Sequence, residues 1–247
     1  MIKKIHYIWL GGKQKSRVIK KCIASWRKHM PDWEIIEWNE NNLNLDINTF
    51  CRQAYNAGKF AFSADVLRFD ILRREGGLYF DTDVLMLKSL QPLIDKRENF
   101  SGYEQTGGIG PGLVLYVTQP EHAIIKEMLE LYNNSVFIKD DGTYNLKVVG
   151  QYFEEVLCKY GSIDRSRCSL VADFRIYTAT YFCPTDGLHS VLDFSENSYT
   201  EHLYAASWQS RKQNIDKLIR KYFYILLRPA GINTCKKLLR TLKIGNF

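Results

Sequence analysis

The chain is predicted to be an α/β protein with a largely parallel sheet. Three observations predict it. Short apolar strands alternate with amphipathic helices along the chain. Gly76-Gly77 separates the strongest helical segment from the apolar run Leu78-Tyr79-Phe80. That run ends in Asp81-Thr82-Asp83, which places two carboxylates at the carboxyl end of a strand, the edge where open α/β sheets bind ligands.

Each element follows from local pattern. Residues 4–10 form an apolar run stopped by Gly11-Gly12 and read as a buried first strand. Val18, Cys22, Ile23 and Trp26 recur near helical spacing, so residues 17–29 read as a helix, broken by Pro31-Asp32. Residues 33–38 form a second strand, and residues 48–57 a helix with Phe50, Ala54 and Ala57 on one face. Residues 61–75 form a third helix, with Ala64, Leu67 and Ile71 on one face. Strand character continues through Val84-Leu85-Met86-Leu87. A glycine-rich loop at 107–112 leads into a strand at 113–117. Helices are expected at 121–133 and 146–160, with short strands and turns over 169–206.

Composition sets outer bounds. With 247 residues, 45% hydrophobic and 25% charged, the chain suits one large domain, or one domain with an appendage, and excludes disorder, collagen and coiled coil as the main architecture. No stretch reaches the ~20 apolar residues of a membrane span, and no signal-peptide pattern follows the first residues. Six cysteines without a Cys-x-x-Cys pair point to reduced thiols in a cytoplasmic protein. Charge divides the chain unevenly. Residues 209–247 hold ten Lys or Arg against Asp216 alone, a net +9 that leaves −2 for the remaining 208 residues. Hence 1–208 is expected as the catalytic body and 209–247 as a basic amphipathic helical tail.

The chemistry concentrates in two segments. Asp65 and Arg68 are three apart and share a helix face. Asp81 and Asp83 are two apart, so in an extended segment they point the same way. Two carboxylates aimed together repel unless a cation joins them. Mn²⁺ or Mg²⁺ takes such oxygens and leaves positions for phosphate. Either pair alone reads more simply as a loop or a surface ion pair. Their order behind Gly-Gly and an apolar strand makes the set informative. As a surface carboxylate, Asp83 would tolerate Asn at a stability cost of about 0.5 kcal/mol.

This stretch resembles the signature of GT-A glycosyltransferases with a DXD motif, of the family 32 type. That group includes bacterial capsule and lipopolysaccharide sugar transferases, yeast initiating mannosyltransferases and, distantly, the clostridial glucosylating toxins. Two further matches flank it. Residues 5–9 resemble the family's opening strand, and 202–208 its closing His-x4-Ser-Trp motif. The resemblance implies a retaining, metal-dependent transfer of a hexose or N-acetylhexosamine. The donor would be a nucleotide sugar, with UDP the leading base, and the acceptor a surface polysaccharide or a lipid-linked saccharide. It implies Ile8 and Trp9 beneath the donor base, Asp65 and Arg68 on the donor sugar, and Tyr79 packed beside the donor. Asp81 would reach ribose and sugar hydroxyls, and Asp83 would ligate the metal. Ser207 would be a further ligand, and Trp208 would donate its indole N–H to the β-phosphate. His202 reads either as another ligand or as a structural histidine, and Trp9 on composition alone as a core tryptophan. The chain departs from the family at Ala64, at Gly150-Gln151 and at Gly112, where serine, Gly-Pro and asparagine are common.

In the tail, Ile215, Leu218, Ile219, Tyr222 and Leu226 form an apolar stripe among basic residues. This reads as contact with an anionic membrane at the inner face of the cell, or as a helix packed on the catalytic body. Rival readings are a metal-dependent phosphohydrolase using the same aspartates, and a nucleic-acid binder using the tail. The body lacks the interleaved basic and aromatic residues that the second would need, so no nucleic-acid partner is expected. The 107–112 glycines precede a strand, which disfavours a dinucleotide site.

Overall fold

The computed structural model describes residues 1–105, 107–186 and 193–205. In chain order the elements begin β1 (Lys4–Ile8), α1 (Arg17–His29), β2 (Glu34–Trp38), α2 (Thr49–Asn56) and α3 (Phe60–Glu75). Then come β3 (Gly77–Tyr79), β4 (Val84–Met86), α4 (Gln91–Ile94), β5 (Asn99–Gly102) and β6 (Leu115–Val117). The rest are α5 (Ala123–Asn133), α6 (Val149–Cys158), β7 (Ser169–Val171), β8 (Phe174–Tyr177), α7 (Ala179–Phe182) and β9 (Thr200–His202).

Seven strands form one sheet in the order β2-β1-β3-β6-β5-β8-β7. β1 pairs in parallel with β2 and β3, and β5 with β8, whereas β6 and β7 run antiparallel to their neighbours. Five strands therefore share one direction and two oppose it. The expected α/β fold holds, with a sheet mixed at β6 and β7. One expectation needs correcting. β4 does not extend this sheet but pairs antiparallel with β9 in a separate two-stranded ribbon, Val84 opposite His202. β5 and α4 were not expected from the sequence. Asn-Phe-Ser-Gly carries no alternation that marks it as a strand, yet all four residues of β5 are buried.

Strand alternation builds two cores, one on each face of the sheet. Along β6, Leu115 and Val117 join the cluster packed by α2, α3, α5 and α6, while Tyr116 joins that of α1, β4 and α4. α1 has the predicted bounds because Ser16 caps it, accepting from the Ile19 N–H. Its buried face is Ile19, Cys22, Ile23 and Trp26 rather than one including Val18, which is exposed. The Trp26 indole N–H donates to the Val84 carbonyl at 2.8 Å and so ties α1 to the start of β4. At the end of α3, Gly76 and Gly77 both adopt positive φ, 60° and 88°. A Cβ on Gly77 would lie 2.8 Å from the Lys4 carbonyl oxygen of the adjoining strand.

His6 lies in β1 with no exposed surface. Its Nδ1 accepts from the Trp38 indole N–H at 3.1 Å, which leaves the proton on Nε2 to donate to the Gly76 carbonyl at 3.0 Å. Burial pushes its pKa down to about 4. Because the folded value lies below the unfolded one, the stability that goes with a neutral buried imidazole is fully present above pH 6.5 and is lost as the pH falls from there towards 4. The loss is on the order of 3 kcal/mol. Thermal melts at pH 7 and pH 4.5 are expected to show a larger drop for wild type than for His6→Gln. Equal drops would show that His6 does not carry the acid sensitivity.

Candidate active site

Asp81-Thr82-Asp83 occupies the connection from β3 to β4. The segment was expected to be extended with parallel carboxylates. It is instead a turn, in which the Val84 N–H donates to the Asp81 carbonyl at 3.2 Å. The two carboxylates consequently meet different partners while lining the same cleft.

Asp81 is fixed from the side of α3 and β3. Its backbone N–H donates to the Gly112 carbonyl at 2.8 Å. Its Oδ1 accepts from the Tyr79 hydroxyl at 3.0 Å and lies 3.5 Å from the Arg68 guanidinium. Arg68 Nη2 also bonds Asp65 Oδ1 at 2.6 Å, and Nε donates to the Ala64 carbonyl. The guanidinium stacks over the Tyr79 ring, 4.9 Å from its centroid. Asp65 and Arg68 do share a helix face, and their pair is buried rather than a surface one, with side-chain exposures of 14% and 3%. Burial pushes the Asp65 carboxyl up to about 6, against the pull of Arg68. Burial also works against the charge on Arg68, but Asp81, Tyr79 and Asp65 outweigh it and hold the group firmly protonated. Nη1 of Arg68 is buried and has no hydrogen-bond partner among the described residues.

Asp83 is fixed from the other end of the chain. Its Oδ1 pairs with His202 Nε2 at 3.0 Å, and its Oδ2 accepts from the Ala205 N–H at 2.8 Å. Its carbonyl accepts from the Leu203 N–H at 2.9 Å. Burial opposes its ionisation, but His202 and these hydrogen bonds prevail and keep its pKa below the usual carboxylate range. The same pairing raises the His202 pKa against the cost of its burial.

The cleft has a volume of about 310 Å³. Ile8, Trp9, Leu10 and Lys13 form one wall, and Gly58, Phe60, Ala61 and Ala64 another, with Tyr79, Asp81, Thr82, Asp83, His202 and Tyr204 between them. Trp9 is half-buried, and its indole N–H donates to the Lys13 carbonyl. It is therefore a cleft wall and not a core residue. Most of the site residues named from sequence thus converge, with Asp65 and Arg68 directly behind Asp81. Ser207, Trp208 and the basic tail lie outside the described residues. Tyr204 was not singled out from the sequence, and Gly112 stood out only as a departure from the family pattern, without a role at the site. Tyr204 has a left-handed backbone, φ 47°, that no residue type signals. A larger, more open depression of about 590 Å³ is lined by Asn42, Asn44, Asp70, Arg73 and Arg74 among others. Asp70 there is already paired with both arginines, so the smaller cleft is the chemically equipped one.

Among the described residues, no three His, Cys, Asp or Glu side chains gather into a metal cage. What the cleft offers is two carboxylates, a hard-oxygen donor set. That suits a divalent cation carried with a diphosphate, whose remaining ligands are phosphate oxygens and water. His202 Nε2 is engaged by Asp83, and its buried Nδ1 has no partner among the described residues.

Residues 16–100 match the family model described as "Glycosyltransferase sugar-binding region containing DXD motif". Over those residues the chain is similar to the DXD-containing glycosyltransferases. Among curated proteins it is similar to inositol phosphoceramide mannosyltransferase 1 of Schizosaccharomyces pombe, 25% identical over 63% of this chain and 51% of the relative. It is also similar to Subversion of eukaryotic traffic protein A of Legionella pneumophila, 29% identical over 34% of this chain and 17% of that protein. The chain thus spans about half or less of the length of these two relatives. Among solved structures it aligns with the PaToxG glycosyltransferase at 20% identity and a TM-score of 0.48, over 64% of this chain and 69% of that one. The matched region runs from the cap of α1 into β5 and so includes Asp65, Arg68, Tyr79 and both aspartates of the turn. No helix among the described residues is long and apolar enough to cross a membrane.

Proposed function

We propose that the chain is a retaining, metal-dependent glycosyltransferase that moves a hexose or N-acetylhexosamine from a nucleotide sugar, UDP-linked in the first instance, to a saccharide acceptor. One observation carries the reading. Ile8, Trp9, Tyr79, Asp81, Asp83 and His202, drawn from both ends of the chain, line a single cleft with the Asp65–Arg68 pair behind it. The mannosyltransferase relative supports a hexose as cargo.

The residues divide the work. Trp9 and Ile8 take the base, Trp9 by stacking, and Tyr79 packs beside the donor. Asp81 accepts hydroxyl hydrogens of ribose and sugar. Arg68, kept charged by its acidic neighbours, donates to sugar oxygens, and Asp65 holds the guanidinium in place while contributing an acceptor. Asp83, with Ser207 and with His202 beside it, would hold a divalent cation, which when bound would supply Lewis-acid stabilisation of the departing diphosphate. Trp208 adds an indole N–H for the β-phosphate. Attack from the same face as departure, with the leaving phosphate accepting the acceptor's proton, retains the configuration without a covalent intermediate. Residues 1–208 constitute this catalytic body.

A panel of nucleotide sugars, scored for hydrolysis with Mn²⁺ and with excess chelator, is expected to give one or more donors cleaved only when the metal is present. Cleavage of simple phosphate esters with release of inorganic phosphate, and of no nucleotide sugar, would establish the phosphohydrolase instead. Equal donor turnover in chelator would remove the metal from the mechanism.

The tail, residues 209–247, is proposed to hold the enzyme on an anionic membrane surface that presents a lipid-linked acceptor. Each engaged basic residue near such a leaflet contributes about 1 kcal/mol, screened within a Debye length. The full chain is therefore expected to co-sediment with anionic liposomes more at low salt than at high salt, with a residue of binding that salt does not remove. A chain ending at Gln209 should lose the binding and keep donor hydrolysis. Undiminished pelleting would refute the membrane role, and loss of folding would show the tail to be packed on the body.

A further inference from the structure

Gly112 lies in the loop before β6 and contacts the site through its backbone, its carbonyl accepting from the Asp81 N–H at 2.8 Å. Its φ is not in the left-handed region, so backbone conformation does not require glycine here. Space does. A Cβ at this position would lie 2.7 Å from Asp81 Cγ, closer still to Oδ2, and 2.8 Å from Arg68 Nη1. Both side chains therefore fill the space that a Cβ would take. The cramped guanidinium nitrogen is the same buried atom that lacks a partner among the described residues.

We infer that Gly112 is a positioning residue for the donor site: its missing side chain is what allows the Asp81 carboxylate and the Arg68 guanidinium to occupy their observed places. A methyl group there would push the carboxylate off the Tyr79 hydroxyl and cover Arg68 Nη1. The loss would fall on sugar recognition, while the Asp83–His202 side of the cleft, 119 residues apart in sequence, would be left in place. The assignment of a sugar-binding role to these groups rests on the glycosyltransferase reading. The steric claim does not.

The test is a set of paired variants. Gly112→Ala alone is expected to lower the melting midpoint by about 4 °C or more, a shift typical of lost packing in a chain of this size. It should also reduce kcat/KM for the nucleotide sugar at least tenfold. In an Asp81→Ala background the closer of the two collisions is gone and only that with Arg68 Nη1 remains, so adding Gly112→Ala should produce a clearly smaller further shift in the midpoint. In an Asp81→Asn background the volume remains, and the full shift should return. This pattern separates a clash with Asp81 from a general intolerance of alanine in the loop. An equal midpoint drop in all three backgrounds, or a Gly112→Ala chain with unaltered midpoint and kcat/KM, would overturn the inference. Coupled midpoints in a protein that cleaves no nucleotide sugar would instead defeat the functional reading and leave the steric assignment standing.

Discussion

Asp83→Asn is expected to reduce metal-dependent donor hydrolysis at least a hundredfold. The substitution removes the full negative charge from the cation's proposed anchor, and losing one preorganised charge-stabilising group costs on the order of 3 kcal/mol in the transition state. Stability will also respond, and here the structure corrects the expectation of a tolerant surface carboxylate. The Asp83 side chain is only 15% exposed, and both its oxygens accept hydrogen bonds from the closing segment. An amide offers one acceptor and turns an N–H toward a donor, which costs about 1–3 kcal/mol for a buried group left mismatched. Steady-state rates taken well below the lowered melting midpoint keep the two effects apart. A variant that retains more than about a tenth of the wild-type rate, a loss smaller than ~1.4 kcal/mol, would remove Asp83 from the metal role.

Arg68→Met is expected to be the most destabilising single change at the site. It keeps much of the apolar stem but strips two carboxylates of their counter-charge, one of them almost fully buried. Breaking a buried ion pair from one side costs about 3–5 kcal/mol, because the remaining charge has no partner. Calorimetry should show the midpoint falling by roughly 6 °C or more, using the usual conversion for a chain of this length. Asp65, already pushed up to about 6 with its arginine present, would then be protonated over more of the neutral range. Adding Asp65→Asn should recover part of the lost midpoint, since a neutral amide no longer needs the guanidinium. A midpoint within about 2 °C of wild type for Arg68→Met, on that same conversion, would show that the pair is not coupled to the fold.

Residue pattern alone makes some of this legible. Helical spacing over residues 17–29 and the break at Pro31-Asp32 delimit α1, and the same bounds appear in the structure. Asp81, Asp83, Asp65 and Arg68 stand out because carboxylate spacing, a glycine pair and an apolar strand are local facts. What escaped depends on distant neighbours. β5 is a strand because β6 and β8 flank it, not because Asn-Phe-Ser-Gly favours one. β9 pairs with β4 across more than a hundred residues, and three residues carry no register signal. The two aspartates were read as parallel because spacing alone suggests an extended segment. The turn that separates them is imposed by the Gly112 carbonyl on one side and by residues 202–205 on the other. Tyr204 and Gly112 matter through a backbone angle and an absent atom, and neither is a property of residue type alone.

The β4–β9 ribbon also has a temporal consequence. Ribosomes deliver the chain from its N-terminus at roughly 5–20 residues per second. By the time β6 has emerged, β1, β2 and β3 can pair, and Asp81 already has Tyr79, Arg68 and the Gly112 carbonyl. Asp83 has neither of its side-chain hydrogen bonds until His202 and Ala205 follow, about a hundred residues later in synthesis. A nascent or truncated chain lacking them would bear half a site, its second carboxylate unpaired. Completion of the proposed site is thereby linked to the arrival of residues 202–205: the long loop from Asp83 to His202 must close before the cleft has both of its acidic walls held in place, and the entropic cost of that closure rises only slowly with loop length.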